Sequence, residues 1–310
     1  MEVLLPEELA GLRLDQALAR ILEDYSRNQI ARWIQKGHVR MAGKVPKPKV
    51  RVRGGEVVEI SIPEPEPNWM VPQAIPLKVV YEDADLIVID KPAGLVVHPA
   101  AGHATGTLQN ALLHHFPELE RLPRSGIVHR LDKETSGLLV VARSERAHRS
   151  LVEQLQRRTV SRIYAALVHG VVKRPGTVSA PIGRHPRDRK RFAVVEGGKE
   201  AITHYEIERR FPHCTLLQVR LETGRTHQIR VHMASIGHPL VGDPQYGKKR
   251  MAKGVPSEIA RFPRQALHAK RLALIHPDSG EGMVWESPLP EDFGTLLHHL
   301  QRFSRPESGA

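Results

Sequence analysis

Apolar and polar positions along this chain follow two different periods. Between residues 14 and 22, Leu14, Ala17, Leu18, Ile21 and Leu22 recur at helical spacing and predict one amphipathic helix. Ser26 followed three residues later by Gln29 forms a capping-box pattern that opens a second helix, and Gly37 is placed to end it. In that helix Ile30, Trp33 and Ile34 share a face, with Arg32 and Lys36 turned away. The pattern then shortens to strands. Residues 50–53 and 56–60 flank Gly54-Gly55 and predict a hairpin.

From residue 77 onward β-like runs dominate. Residues 77–81 and 86–90 flank Glu82-Asp-Ala-Asp85 as a hairpin, and further runs lie at 163–168, 203–209 and 216–222. Helical stretches interrupt at 108–116, 147–156 and 226–236. Strands and helices do not alternate regularly. The expected fold is therefore α+β, with a mixed, largely antiparallel central sheet, preceded by a small α/β domain. Residues 63–76, PEPEPNWMVPQAIP, carry five prolines and predict a semi-rigid extended linker, in which Trp69 is placed to anchor on the next domain. The domains expected are 1–62, the linker 63–76, a large domain over 77–301, and a frayed tail over 302–310.

Charge narrows the partners. The 310 residues carry a net charge of +12, which favours RNA or DNA as partner, with an anionic membrane surface as the alternative. Residues 36–53 hold seven Lys or Arg and no acid. In so small a module this predicts a phosphate-tracking surface, with Arg27, Arg32, Lys36, Arg40 and Lys44 as contacts, over an ordinary solvated basic face. No apolar stretch reaches membrane-spanning length and the N-terminus lacks a signal-peptide pattern, so the chain reads as cytoplasmic. Cys214 is the only cysteine and lies in a β-like run, where a packed core thiol is expected rather than a nucleophile. Eighteen scattered histidines form no HExxH and no compact set with carboxylates, and no dinucleotide fingerprint follows a strand. No metal and no cofactor is expected.

The chemistry concentrates in His129-Arg130-Leu131-Asp132-Lys133-Glu134-Thr135-Ser136-Gly137, set between the apolar runs Ile127-Val128 and Leu138–Val141. This predicts a strand–turn–strand junction. A carboxylate there is costly to desolvate unless paired. The residues alone fit a structural ion pair at a strand end as well as a catalytic acid. In the helix over 226–236, Ile229, Met233 and Ile236 form the expected core stripe, with Arg230, His227 and Ala234 off it. Arg225 and His227 sit at its first turn, where free N–H groups attract anions. Tyr164 on the run RIYAALV is by itself ordinary strand packing.

Four segments together resemble the RluA-type pseudouridine synthases, which isomerise uridine in RNA. They are DKPAGLVVHP from Asp90, HRLDKETSGLLVVAR from His129, SRIYAAL from Ser161, and TGRTHQIRVHMASIGHPLVGD from Thr223. They occur in the family's order and span most of residues 77–290. The resemblance implies a catalytic cleft across the sheet, with Asp132 as the catalytic aspartate, Arg230 as its paired arginine, and Tyr164 stacked on the target base. It also implies that Arg130 occupies the space of the flipped nucleotide, with His129, Arg225, His227 and Lys91 as further substrate contacts. RLDQAL followed by SRNQIARWIQKGHVRMAGK, over about residues 12–60, resembles the small RNA-binding domain named after the fourth small-subunit ribosomal protein. The N-terminal module, the linker and GHATGTLQNALL most resemble the RluD branch. That branch implies large-subunit ribosomal RNA; the partner expected is that RNA or a pre-ribosomal particle, with neither membrane nor DNA, and the enzyme is expected to be a monomer. Two rival classes are a non-catalytic ribosome-assembly RNA-binding protein and a nucleic-acid hydrolase. The first has no need of Asp132, and the second ordinarily requires several carboxylates or a metal.

Overall fold

The computed structural model describes residues 1–22, 25–63, 71–99, 103–247 and 257–303. It divides into two compact units, Met1–Asn68 and Trp69–Ala310. Residues 64–70 of the expected linker, which include Trp69, and residues 304–310 of the expected tail lie outside the described residues.

The first unit contains β1 (Glu2–Leu4), α1 (Leu14–Ile21), α2 (Arg27–Gln35), β2 (Val39–Met41) and β3 (Val57–Ile60). Ser26 caps α2 in a capping box with Gln29. Gly37, at φ 82°, ends it with the His38 N–H donating to the Trp33 carbonyl. Leu14, Ala17, Leu18, Ile30, Trp33 and Ile34 are buried together against the sheet, as their spacing predicts. The expected hairpin of residues 50–53 with 56–60 does not form. β3 instead lies between β1 and β2, in the order β1-β3-β2. Residues 50–53 run beside the start of α1, where the Leu14 and Gly11 N–H groups donate to the Val50 and Val52 carbonyls. Two flanking strands already satisfy both edges of β3, so no edge remains for 50–53.

The second unit opens with β4 (Val79–Glu82), β5 (Leu86–Lys91), α3 (Leu108–His115), β6 (Ser136–Ala142), α4 (Glu145–Gln156) and β7 (Ser161–His169). It continues through β8 (Gly176–Ser179), β9 (Ile182–Arg184), β10 (Phe192–Val194), β11 (Ile202–Arg210), β12 (Cys214–Leu221) and α5 (Gln228–Ser235). α6 (Ser257–Ala260), β13 (Leu267–Ile275), β14 (Gly282–Glu286) and α7 (Glu291–Phe303) complete it. α7 thus carries residues 302–303, which the sequence assigned to the tail.

The central sheet runs β4-β5-β6-β13-β7-β12-β11-β8, with β14 added on β13. Every pairing in it is antiparallel except β13 with β6, so the sheet is mixed and largely antiparallel. Its central strands β5, β6, β7 and β12 are buried on both faces. On one face Ile87, Ile89, Leu139, Val141, Tyr164 and Ala166 pack with Leu108 and Leu112 of α3 and Ile229 and Met233 of α5. On the other, Leu86, Val88, Leu138 and Val140 meet Ala147 and Leu151 of α4. Ala165 and Leu167 meet Phe293 and Leu296 of α7. Two covered faces explain why β6 reads as a continuous apolar run rather than an alternating one. Cys214 sits fully buried in β12, and burial pushes its thiol up to about 12. Residues 71–75 lie along α3, held where the Asn110 amide donates to the Val71 carbonyl. Among the described residues no helix is long and apolar enough to cross a membrane.

Candidate active site

Asp132 stands on the loop that feeds β6, beside the one parallel pairing of the sheet. The loop is fixed from three sides. The Thr135 N–H closes a tight turn onto the Asp132 carbonyl at 3.0 Å. Gly137, at φ 109°, lets β6 approach β13 so closely that a Cβ there would lie 2.3 Å from the Ala269 carbonyl oxygen. Lys91 at the end of β5 is fully buried, and its ammonium donates to the carbonyls of Pro92, Leu95 and Lys133 at 2.7, 2.9 and 3.0 Å. Lys91 therefore corrects the expectation of a substrate contact. It has no exposed surface, and its three N–H donors are all spent on backbone. Burial lowers its pKa to about 7, with Glu134 and Asp132 opposing the shift. The residues before the loop also differ from expectation. Ile127-Val128 make only an isolated bridge to Val141, after a short 3-10 turn over Pro123–Gly126, so the motif joins a turn to a strand.

Arg230 reaches this loop from α5. That helix is buried from Gln228 through Met233, and Arg230 is 5% exposed. Ile229 and Met233 are core as expected, but Ile236 is exposed, because the helix turns out at Gly237 and its buried side continues on Arg230 and His232 instead. Arg230 Nε and Nη2 donate to the two carboxylate oxygens of Asp243 at 2.7 and 3.0 Å. Nη1 donates to Asp132 Oδ2 at 3.1 Å. The guanidinium also lies 5.0 Å from the centre of the Tyr246 ring. Burial works against the Arg230 cation, but Asp243 and then Asp132 outweigh it and raise its pKa. Burial likewise works against the Asp243 anion, and Arg230 lowers its pKa in spite of that. One cation is thus shared by two acids: Asp243, with no exposed side-chain surface, and Asp132, whose side chain keeps 16%. The exposed acid is the one that can meet a ligand.

Above Asp132 opens a cavity of about 330 Å³, with apolar walls that include Ile127, Leu221, Ile229 and Leu267. Tyr164 on β7 lines it and is 6% exposed. Burial raises the pKa of its phenol, Arg162 opposes, and Asp132 reinforces the rise, so the ring is a neutral apolar plate. Asp132, Tyr164 and Arg230, 98 residues apart at the extremes, come together here, in line with the sequence expectation of one site.

The remaining candidates divide by position. Arg130 and Arg225 are exposed on the rim of this cavity. The His227 Nε2 is 3.9 Å from Asp132 Oδ1, its backbone is left-handed at φ 57°, and its Nδ1 meets the Tyr246 hydroxyl at 2.9 Å. Burial lowers the His227 pKa, with Asp132 opposing. His129 accepts a hydrogen bond at Nε2 from the Val140 N–H at 3.0 Å, which places its proton on Nδ1. Burial, then Arg162, push its pKa down to about 3, so it lines the cavity as a neutral ring. In the first unit Arg32, Lys36, Arg40 and Lys44 are exposed. Arg27 is partly committed, its Nε 3.1 Å from the buried Asp15.

Sequence reading missed Asp243, Tyr246 and Arg162. Asp243 closes the quoted segment from Thr223, yet nothing local ties an acid to an arginine 13 residues earlier. It also passed over Arg184, Arg187, Arg189, Lys190 and Arg191, a basic run around β9 and β10 that charge patterning could have found. That run hangs beside the site: the Gln245 amide donates to the Lys190 carbonyl, and the Phe192 N–H to the Tyr246 hydroxyl, both at 3.1 Å.

Residues 85–235 match the family model described as RNA pseudouridylate synthase, and residues 12–58 match the S4 domain. The chain is 52% identical, over 97% of its length and 88% of the relative's, to Ribosomal large subunit pseudouridine synthase D of Nitrosomonas europaea. It is 53% identical to the protein of the same name from Pseudomonas aeruginosa, over 96% of this chain and 94% of that one. Among solved structures it is similar to Human RNA Pseudouridylate Synthase Domain Containing 4, with TM-score 0.58 and 25% identity, over 72% of this chain and 93% of that one.

Proposed function

The chain belongs to the RNA pseudouridylate synthase family, and on that basis we propose that it converts uridines of large-subunit ribosomal RNA to pseudouridine. The reaction breaks the N1–C1′ bond of uridine, turns the uracil, and joins it through C5, while a proton leaves C5 and one arrives at N1. It changes no oxidation state and consumes no energy carrier. It needs a positioned carboxylate and a base removed from its stack.

The observation that carries this reading is the Asp132 carboxylate, held at 3.1 Å by Arg230 at the mouth of the cavity that Tyr164 lines. In this proposal Asp132 acts on the ribose, as a nucleophile at C1′ or as the base that removes a sugar proton. Arg230 orients it, Tyr164 supports the base, and Arg130 at the rim fills the space left in the RNA. His129, Arg225 and His227 line the path of the nucleotide. In this proposal the unit Met1–Asn68 brings Arg27, Arg32, Lys36, Arg40 and Lys44 to the RNA backbone, and residues 77–301 serve as the catalytic domain. The protein acts as a cytoplasmic monomer on ribosomal RNA or a pre-ribosomal particle. A purely RNA-binding assembly factor is disfavoured, because it has no use for two acids arranged on one buried arginine.

The test is to map pseudouridine in large-subunit RNA from cells with and without this protein, and in naked RNA treated with it. Loss of particular pseudouridines in the deficient cells, restored by the wild-type protein, is expected. Identical maps would overturn the proposal.

A further inference from the structure

The cavity wall holds a second buried arginine, to which the proposed reaction has so far given no task. Arg162 lies on β7 two residues before Tyr164, so both side chains project from the same face of the strand. It lines the cavity and is 7% exposed. A guanidinium has five N–H donors and no acceptor. Among the described residues that of Arg162 makes one hydrogen bond, from Nη2 to the Glu222 carbonyl at 3.3 Å. Its Nε is shielded from solvent and has no partner. No carboxylate pairs with it among the described residues.

Arg230 offers a direct contrast. It has two carboxylates and gains from them, whereas burial lowers the Arg162 pKa and only Tyr164 opposes the shift. A buried cation without a counter-ion weakens the fold. Unsatisfied groups that persist in a native structure mark places where function overrides stability. Arg162 lines the cavity, so a ligand there can supply the counter-charge. Arg130 and Arg225, exposed where the cavity opens, are placed to take RNA phosphates. The part of the nucleotide that enters the enclosed wall beside Tyr164 is the base.

Resting on the pseudouridine synthase reading, we propose that Arg162 is a catalytic residue whose guanidinium binds a carbonyl oxygen of the flipped uracil and holds the charge on that base once it is detached. When the N1–C1′ bond breaks, its electron pair leaves with uracil. The ribose is satisfied either by the Asp132 carboxylate bonding to C1′ or by loss of a sugar proton to Asp132. In both cases the base carries one negative charge, spread over O2 and O4. Arg230 is already committed to Asp243 and Asp132, so Arg162 is the cation left for the base. The charge is released as C5 bonds to C1′, either displacing the Asp132 carboxylate from C1′ or with Asp132 returning the proton to the sugar, and the C5 proton is then replaced by one on N1. A fixed cation facing charge that develops only during the reaction favours the transition state over the ground state.

The experiment compares wild type, Arg162→Met and Arg162→Lys in single-turnover conversion of a large-subunit RNA fragment, with RNA affinity and melting temperature measured on each. Arg162→Met should react on the order of a hundredfold more slowly, the loss typical of removing one preorganised donor. Its RNA affinity should stay within a few-fold and its melting temperature should hold or rise, because an unpaired cation has been replaced by an apolar chain of similar length. Arg162→Lys should recover part of the rate. If Arg162→Met does not fold, Arg162→Gln takes its place and must be slow where Arg162→Lys recovers. An Arg162→Met enzyme as fast as wild type overturns the inference, as does one that melts lower while Arg162→Lys is equally slow. Wild type inert on large-subunit RNA would overturn the underlying reading, and the inference with it.

Discussion

Asp243 grips Arg230 with both carboxylate oxygens, at 2.7 and 3.0 Å, and so aims the remaining nitrogen at Asp132. Arg230 is thereby fixed before any substrate arrives. Asp243→Asn replaces one charged acceptor with an amide N–H that faces the guanidinium. The variant should lose stability, with about 3–5 kcal/mol expected for breaking a buried pair. It should also slow pseudouridine formation on the order of a hundredfold, as misplacing a reacting group does. Melting curves and single-turnover rates check both, and a rate equal to wild type would show that Asp243 does not position the site.

Asp132→Asn keeps the shape of the side chain and removes its negative charge and basicity. Product should be abolished while RNA affinity stays within a few-fold. Rate and binding are to be measured on the same RNA. Substantial product from this variant would remove Asp132 from the reaction.

Lys91→Met should act on the fold rather than on RNA. It leaves three carbonyls without their donor, of which that of Leu95 is buried and costs about 1–3 kcal/mol if nothing replaces the bond. The melting temperature should fall, while the salt dependence of RNA binding stays that of wild type. A reduced salt slope would restore Lys91 as an RNA contact.

His129 gives the stability a pH dependence of known sign. Its pKa is about 3 in the fold, against 6.5 for the ordinary group. Between those values the unfolded chain binds a proton that the native protein does not. Its contribution is therefore present above pH 6.5 and is lost as pH falls toward 3. Denaturant unfolding of wild type and His129→Asn across that window should show a shallower pH slope in the variant. Equal slopes would mean that His129 is not held neutral.

Removing residues 1–62 should weaken RNA binding and flatten its salt dependence, with the second unit still folded and retaining some chemistry. Every phosphate that the shortened protein no longer neutralises should reduce the slope of log affinity against log salt by about 0.7–0.9. Binding titrations at several salt concentrations check this. An unchanged slope would show that the first unit is not an RNA surface.

Whatever depends on neighbours a few residues apart was legible in the sequence. The Ser26–Gln29 cap, the Ile30, Trp33 and Ile34 face, the β-like runs and the basic stretch over 36–53 are written in local spacing, and local spacing sets local conformation. The four motifs pointed to Asp132, Tyr164 and Arg230 through resemblance. Whatever depends on strand order and burial came with the tertiary fold alone. It placed β13 between β6 and β7, and β3 between β1 and β2, which displaced the expected hairpin. It buried α5 on nearly every side, so that Arg230 became core while Ile236, on the expected stripe, faced solvent. It turned Lys91 from a surface contact into an internal brace. It gave Arg230 a second acid and left Arg162 with none among the described residues. A periodic pattern reports that a face is buried, not which segment covers it. The electrostatics of a buried charge are set by that covering segment, here brought from up to 98 residues away.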